Sequence, residues 1–271
     1  MTEESNEKNV FNWIRIRHLL KLGILSAVMV LIGDMLLGWG RSDPSVTEIP
    51  AIFTRYLSVS DGRIFASALL GLIGIPVECL CWFAVYRILQ PYSPKEAHLF
   101  RGGILGCLAF GGCGVHVPCC MAVYLLRHFY YEDPSSVVQN MSGWILWFLA
   151  PATVIFAIFF FLAAVVQFRT FLRGGTPYPR WCCIFSLLFG LVWMILMRWT
   201  GDHPLANALA TGWISAGNIW MMGGLLVQSK TAEQNWKKTE GQGRSTAVNQ
   251  ILQAEGKAGT DCVLGPGGRG I

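Results

Sequence analysis

WILWFLAPATVIFAIFFFLAAVVQF, which runs from Trp144 to Phe168, contains no charged residue. A run of about 18 or more apolar residues is long enough to cross the roughly 30 Å hydrocarbon core of a bilayer as a helix. The whole chain has a similar character, because 53% of its 271 residues are hydrophobic and only 14% are charged. Soluble domains carry nearer ~25% charged residues. We therefore interpret the chain as an integral membrane protein.

Five further apolar blocks bring the number of predicted membrane spans to six. Their bounds are Leu22–Trp39, Ile64–Leu89, Gly102–Leu126, Trp144–Phe168, Trp181–Met197 and Leu205–Val227. A backbone surrounded by lipid must satisfy its own hydrogen bonds, and the alternating pattern of a transmembrane β-barrel is absent from the sequence. The sequence thus predicts an all-α fold, an integral membrane bundle of six transmembrane helices.

Lysine and arginine are unevenly distributed between the two sets of span ends. Thirteen lie on the side of the membrane that carries the two chain termini. Five lie on the opposite side, namely Arg41, Arg55, Arg63, Arg127 and Arg198. Because cytoplasmic loops are enriched in positive charge, we expect both termini to be cytoplasmic. The predicted location is the bacterial cytoplasmic (plasma) membrane.

The net charge of +5 does not indicate a nucleic-acid-binding protein, because the sequence has no basic stripe interleaved with aromatic residues. The predicted partner is the lipid bilayer, together with a small-molecule or lipid ligand. The sequence leaves the oligomeric state open.

The chain divides into three predicted regions. Residues 1–21 form a basic amphipathic lead-in, residues 22–227 the six-helix transmembrane domain, and residues 228–271 a polar, glycine-rich and flexible cytoplasmic tail. In the first outer loop, apolar residues recur at helical spacing between Ile49 and Leu57, which predicts a short interfacial helix. Cys262 lies ten residues from the end of the chain, so a prenylation box is not predicted.

Ionisable residues in or beside the apolar spans are the first candidates for function. They are costly in a membrane and usually face the interior of the bundle. In chain order they are Asp34, Glu78, His116, Arg198, Asp202 and His203. At about 1.5 Å of rise per residue, the first three lie at membrane depth and the last three near the outer surface. A polar path from the outer surface down to Glu78 is geometrically allowed.

A row of polar residues follows one face of the sixth span. Asn207, Thr211, Ser215 and Asn218 are separated by four, four and three residues, which is helical spacing. Such residues either mediate packing between helices in lipid or line a cavity opposite His116. The sequence leaves both interpretations open.

FGGCGVHVPCC, from Phe110 to Cys120, places three glycines before His116 and Pro118 two residues after it. A helix rich in glycine is narrow and belongs in the centre of a bundle. Pro118 removes one backbone hydrogen bond, and Pro76 does the same two residues before Glu78. We expect helix distortion at both prolines to create the space in which His116 and Glu78 lie.

A metal site in this segment is the weaker alternative. Cys113, His116 and Cys120 fall at i, i+3 and i+7, and cysteine and histidine are ligands of zinc and copper. No CxxC pair completes the set, so the remaining ligands would have to come from other helices. A hydrogen bond from His116 to Asp34 or Glu78 is the favoured interpretation, and no cofactor is predicted.

The run GWISAGNIWMMGG, which begins at Gly212, and the Gly33–Asp34 pair in the first span resemble bacterial multi-helix membrane proteins classed as domains of unknown function. The resemblance covers the six spans. It implies an inner-membrane location and no particular activity.

Three functions are compatible with these patterns. The first is binding or transport of a small solute or proton through an outward-facing polar cavity, with Asp34, Glu78 and His116 as the exchanging groups. The second is an accessory or scaffolding role in which the polar residues only specify packing. The third is an intramembrane, metal-assisted or metal-free enzyme that modifies a lipid, with Glu78 or Asp34 as general base. We rank binding or transport first, and the sequence leaves open whether the protein is an enzyme.

Overall fold

The structure, a computed structural model, describes residues 12–47 and 49–261, with side chains described as far as residue 239. The first part of the predicted lead-in and Cys262 lie outside the described residues. Within them the fold is all-helical, without strands. Their α-helices are α1 (Trp13–Gly38), α2 (Ala51–Thr54), α3 (Asp61–Cys81), α4 (Phe83–Leu89), α5 (Pro94–Phe110), α6 (Val117–Phe129), α7 (Pro134–Trp144), α8 (Ala150–Leu172), α9 (Phe189–Trp199), α10 (Pro204–Thr211) and α11 (Trp213–Asp261).

Four helical stretches are long and apolar enough to cross a membrane. They are Trp13–Gly38, Asp61–Leu89, Pro94–Phe129 and Pro134–Leu172, and they include the first four predicted spans almost entirely. Their outward faces carry large apolar side chains, such as Phe65 at 68% and Trp147 at 74% exposure. Soluble proteins rarely expose apolar surface on this scale, whereas a bundle surrounded by lipid requires it. The described chain therefore has the character of a membrane protein.

The fifth and sixth predicted spans do not form two further long apolar helices. The fifth divides into a 3₁₀ segment, Arg180–Ile184, and the 11-residue α9. Gln167 of α8 supports this break, because its side-chain amide donates to the Phe185 carbonyl at 2.9 Å. The sixth divides at Gly212 into α10 and α11. Helix length and apolarity thus support four spans, and the number six stays a prediction.

Small residues allow the long helices to approach one another closely. The most extensive contacts join α1 to α3 and α5 to α8. In the first pair, the Ser26 hydroxyl donates to the Gly74 carbonyl at 2.7 Å. In the second pair, a Cβ at Gly106 would overlap the ring of Phe159. The glycine-rich third span is therefore packed inside the bundle, as its composition predicts.

The two prolines beside the predicted site have different effects. Before Pro118 the helix widens into a π-helical segment, Gly111–His116, in which the Val117 N–H bonds to the Gly112 carbonyl. A second π-helical segment, Ile145–Leu149, likewise ends two residues before a proline. The expected distortion at Pro118 is confirmed. Pro76 lies within an uninterrupted α3, so the distortion expected there stays a prediction.

The connections at the ends of the bundle are more ordered than their composition predicts. The helix expected in the first outer loop is present as α2, a single turn. Next to it, Ile49 is buried with Leu126 and Tyr130, so the loop covers the end of α6. The lead-in is continuous with the first span, because α1 begins at Trp13, whose ring packs 6.4 Å from that of Tyr178.

The polar C-terminal region is helical for most of its length. Contacts divide the chain into two units, with the boundary after Ser229. In the second unit the backbone is helical as far as Asp261, whereas the sequence predicts a flexible tail for residues 228–271. The flexibility and the cytoplasmic location of this region stay predictions. Every residue of the site described below lies in the first unit.

Candidate functional site

A cavity of about 250 Å³ lies inside the helix bundle. Residues of α1, α3, α5, α6, α8, α10, α11 and the first π-helical segment line it, together with Trp82 directly after α3. Its polar or ionisable lining consists of Asp34, Glu78, His116, Thr211, Ser215 and Asn218. The rest of the wall is aliphatic, aromatic or formed by cysteine thiols. Ionisable side chains from three separate spans therefore converge on one cavity, together with three members of the polar row on the sixth span.

His116 is held by contacts to both of its ring nitrogens. Its Nε2 lies 2.9 Å from the Ser67 carbonyl oxygen, so Nε2 carries a hydrogen and donates. Its Nδ1 lies 3.5 Å from Oδ1 of Asp34, which is long for a hydrogen bond but within ion-pair range. The other oxygen of Asp34 accepts a hydrogen bond of 3.0 Å from the Ser215 hydroxyl. The structure therefore places His116 beside Asp34, one of the two expected partners.

The Asp34–His116 pair is electrically neutral whichever residue holds the shared proton. Because Nε2 already carries a hydrogen, a protonated Nδ1 makes an imidazolium beside a carboxylate. With the proton on Asp34, a neutral imidazole faces a neutral acid. In both arrangements the charges sum to zero, which suits a buried site.

The absence of a side chain at Gly71 creates the space for the imidazole. A Cβ at this position would fall within 3 Å of three ring atoms of His116. One turn earlier on the same face of α3, Ser67 supplies the acceptor for Nε2. The small-residue face of α3 thus sets the position of His116.

Glu78 and Asn218 bring unsatisfied polar groups to the cavity. Glu78 is 4% exposed, and its carboxyl group has no hydrogen-bond partner among the described residues. The indole N–H of Trp82 donates to Oδ1 of Asn218 at 2.8 Å, which fixes the orientation of the amide. Asn218 is 0% exposed, and its Nδ2 is buried without a partner among the described residues. The Glu78 carboxyl is therefore the polar group that the cavity offers, whereas the Asn218 amide is enclosed in the wall.

Arg198, Asp202 and Asn207 lie outside this cavity and bind one another. Nδ2 of Asn207 donates to the Gly40 carbonyl at 2.9 Å and also to the Asp202 carboxylate. Arg198 donates to Oδ1 of Asn207 at 3.3 Å, and the Ser42 N–H donates to Asp202 at 3.1 Å. This outer cluster joins the first outer loop to the α9–α10 connection.

The local bonds of the outer cluster give its members structural roles. Hydrogen bonds from the Asn207 amide and from Ser42 hold the pKa of Asp202 below its usual value. His203 is exposed, and its Nδ1 caps α10 by accepting from the Ala206 N–H at 3.3 Å. The junction residues predicted as candidates thus do not join Asp34, Glu78 and His116.

The expectation that Cys113, His116 and Cys120 lie on one helical face as possible metal ligands is wrong. Cys113 is exposed, whereas His116 and Cys120 are buried, because the π-helical turn shifts Cys113 off their common face. Cys120 instead lies 3.6 Å from the Ser67 hydroxyl. In the part of the chain that the structure describes, no group of three or more His, Cys, Asp or Glu residues is placed to hold a metal ion.

Residues 4–232 match the sequence model of DUF6796, a family of unknown function. The chain belongs to this family. All the cavity residues of this DUF6796 member fall within the matched region. No curated protein and no solved structure matches the chain. The expected resemblance to a family of unknown function is confirmed.

The sequence of this DUF6796 member contains an overlooked signal for several site residues. Ser67, Gly71, Gly74 and Glu78 recur every three or four residues and so share one face of α3. Continuing that face by four residues leads to Trp82, which orients Asn218. A stripe of small residues that ends in an acid and a tryptophan indicates a face turned toward a close neighbour. The prediction of the site rested on Glu78 alone, without this stripe.

Proposed function

We propose that this DUF6796 member is a membrane protein that binds a small polar solute, or a proton, in the cavity formed around Asp34, Glu78 and His116, and moves it to or from the outer face. The observation that carries the proposal is the convergence of these side chains on one cavity of about 250 Å³. Its walls leave room for a solute or several waters, so the acids are not merely packed against protein.

A comparison of the two polar clusters favours binding over a packing role. The outer cluster has partners for both ends of the Asn207 amide and both oxygens of Asp202. Glu78 and Nδ2 of Asn218 have none. An unsatisfied buried polar group costs about 1–3 kcal/mol, so residues that served only to join helices would be expected to be paired. A ligand or water that binds the Glu78 carboxyl explains why this acid lines a cavity.

The hydrogen bonds in the cavity do not support a serine nucleophile. The Ser215 hydroxyl donates to Asp34, and His116 uses its two nitrogens on Ser67 and Asp34. Activation of a serine requires the imidazole to accept the hydroxyl proton, with the carboxylate behind the imidazole. Here the carboxylate lies between the hydroxyl and the imidazole. The cavity therefore gives no support to hydrolysis by a serine, and binding or transport is the function that we propose.

The proposed location is the bacterial cytoplasmic membrane, with both chain termini in the cytoplasm. The distribution of lysine and arginine over the connections supports this orientation. In this arrangement the 3₁₀ segment together with α9 forms the fifth span, and α10 together with the first part of α11 forms the sixth. The polar lining of α11 faces protein rather than lipid. Under this orientation Asp34 and His116 lie in the outer half of the membrane, which supports a cavity that faces outward.

The test uses the full chain purified in detergent and then reconstituted in liposomes. Thermal unfolding is measured with a panel of small cations, neutral polyols and carboxylates, and proton flux is followed with a pH-sensitive dye under an imposed potential. We expect at least one solute to stabilise the wild type, or proton flux to occur, and Glu78→Gln to abolish the effect.

Glu132→Gln is the matched control, because Glu132 is exposed in the α6–α7 connection. It should behave as the wild type. The proposal is wrong if neither solute binding nor proton flux is found, or if Glu78→Gln and Glu132→Gln behave alike.

A further inference from the structure

The lining of the cavity carries information about the charge of its ligand. The Asp34–His116 pair is neutral, so the Glu78 carboxyl is the one acid in the wall that lacks a compensating group. Neither lysine nor arginine is among the residues that line the cavity. A carboxyl group removed from water stays neutral unless a positive charge accompanies its ionised form. A cationic ligand supplies that charge and is held by the ionised acid, whereas an anion meets no lysine or arginine in the lining.

Aromatic rings form much of the remaining wall. Trp82, Trp213, Phe156 and Phe160 all line the cavity. The ring of Trp213 meets that of Phe160 edge to face at 5.6 Å, and Trp82 lies 6.4 Å from the same phenylalanine. Aromatic faces attract organic ammonium groups, and the attraction is stronger when water is excluded. An acid among several aromatic side chains is a chemical environment suited to an ammonium ion.

The size of the cavity restricts the ligand further. About 250 Å³ is below the roughly 300–1,000 Å³ of pockets that hold drug-sized molecules. The ligand is therefore small. The Trp82 indole N–H holds the Asn218 amide in the wall, where Asn218 is 0% exposed, so the Glu78 carboxyl is the polar group that meets the ligand.

We infer that the cavity binds a small organic monocation in which an ammonium group faces Glu78 and the aromatic rings. The inference rests on the proposed function and specifies its ligand class. Free amino alcohols and the headgroups of zwitterionic lipids share this chemistry. The small volume of the cavity favours the free solute.

The test is isothermal titration calorimetry of the full-length protein in detergent. Choline is compared with 3,3-dimethyl-1-butanol, its neutral analogue of nearly the same shape, and with 3-hydroxypropionate as an anion. We expect choline to bind at least about tenfold more tightly than the neutral analogue. This comparison is made on the wild type, so it does not depend on the folding of any variant.

Variants then locate the site. Glu78→Gln and Trp213→Leu should each weaken choline binding by about tenfold or more, and Glu132→Gln should leave it unchanged. Equal binding of choline and its neutral analogue overturns the inference. So does binding that Glu78→Gln leaves intact in a variant with wild-type thermal unfolding.

Two further outcomes separate this inference from the proposed function. If the neutral analogue or the anion binds in a Glu78-dependent manner and choline does not, the cation assignment is wrong and the proposed function stands. If no member of the solute panel binds and no proton flux is found, both are wrong. A short-chain phosphatidylcholine is the last arm, and binding of this lipid without binding of free choline would refute the free-solute assignment.

Discussion

Replacement of Gly71 by alanine is the perturbation that most directly tests how the site is positioned. The new methyl group would fall within 3 Å of Cδ2, Nε2 and Cγ of His116. The imidazole cannot simply rotate away, because Nε2 donates to the Ser67 carbonyl and Nδ1 lies beside Asp34. The methyl group is therefore accommodated only if His116 leaves its position or α3 moves away from the π-helical segment.

The expected cost combines three effects of known size. Overpacking of a buried site costs about 1–3 kcal/mol. Loss of the hydrogen bond to the Ser67 carbonyl leaves buried polar groups unsatisfied and costs about 1–3 kcal/mol more. Alanine in place of glycine within a helix returns about 1 kcal/mol. The net loss is about 3 kcal/mol, which lowers Tm by roughly 6–12 °C for a chain of this size.

Gly102→Ala in α5 is the matched control, because a Cβ at Gly102 would meet nothing within 4 Å. The same chemical change should here raise Tm by a few degrees, since only the gain in helix propensity remains. The assay is thermal unfolding in detergent, followed by circular dichroism for both variants. Equal shifts in Tm for the two alanine variants would refute the reasoning that Gly71 is reserved for the imidazole.

Three other predictions concern the polar side chains around the site. Asn218→Leu leaves the buried Trp82 indole N–H without an acceptor, so we expect a loss of about 1–3 kcal/mol in stability, measured by thermal unfolding. Asn207→Ala removes the donor to the Gly40 carbonyl and to Asp202, so it should lower Tm. Solute binding measured by calorimetry should stay unchanged. Loss of binding would contradict this and show that the outer cluster is coupled to the cavity. Because the pKa of Asp202 is lower in the folded protein, its stabilising contribution is present above about pH 4 and lost as the pH falls further. The difference in Tm between the wild type and Asp202→Asn should accordingly shrink below about pH 4, and a difference that grows on acidification would contradict this assignment.

Much of the architecture follows from the hydrophobic pattern. The runs around Asp34, Glu78 and His116 are long, apolar and nearly free of charge, so their helical nature and their approximate bounds could be predicted. The polar row on the sixth span could also be predicted, because Thr211, Ser215 and Asn218 share one face at helical spacing. These three residues do line the cavity. Local periodicity determined these features, and periodicity can be read from a sequence.

The parts that the sequence analysis missed depend on contacts between distant segments. The fifth span is interrupted because Gln167, in another helix, binds the backbone at Phe185. Asn207 and Asp202 bind the backbone of the first outer loop instead of turning toward the cavity. The alignment of Cys113 with His116 fails because a π-helical turn changes the spacing of one face. The first two effects are not encoded in neighbouring residues, whereas the π-helical turn lies directly before Pro118 and only its effect on the spacing of the face was missed.

Thiol accessibility is the most direct test of the central claim that the converging polar side chains line a cavity open to solutes from outside. In a cysteine-free background, single cysteines are placed at Thr211 and at the native position Cys119, both half-buried in the cavity wall, and at Cys182, which is fully buried and outside it. A small cationic methanethiosulfonate reagent is added to intact cells. The account predicts rapid modification at positions 211 and 119 and none at Cys182. Equal protection of all three positions would contradict it.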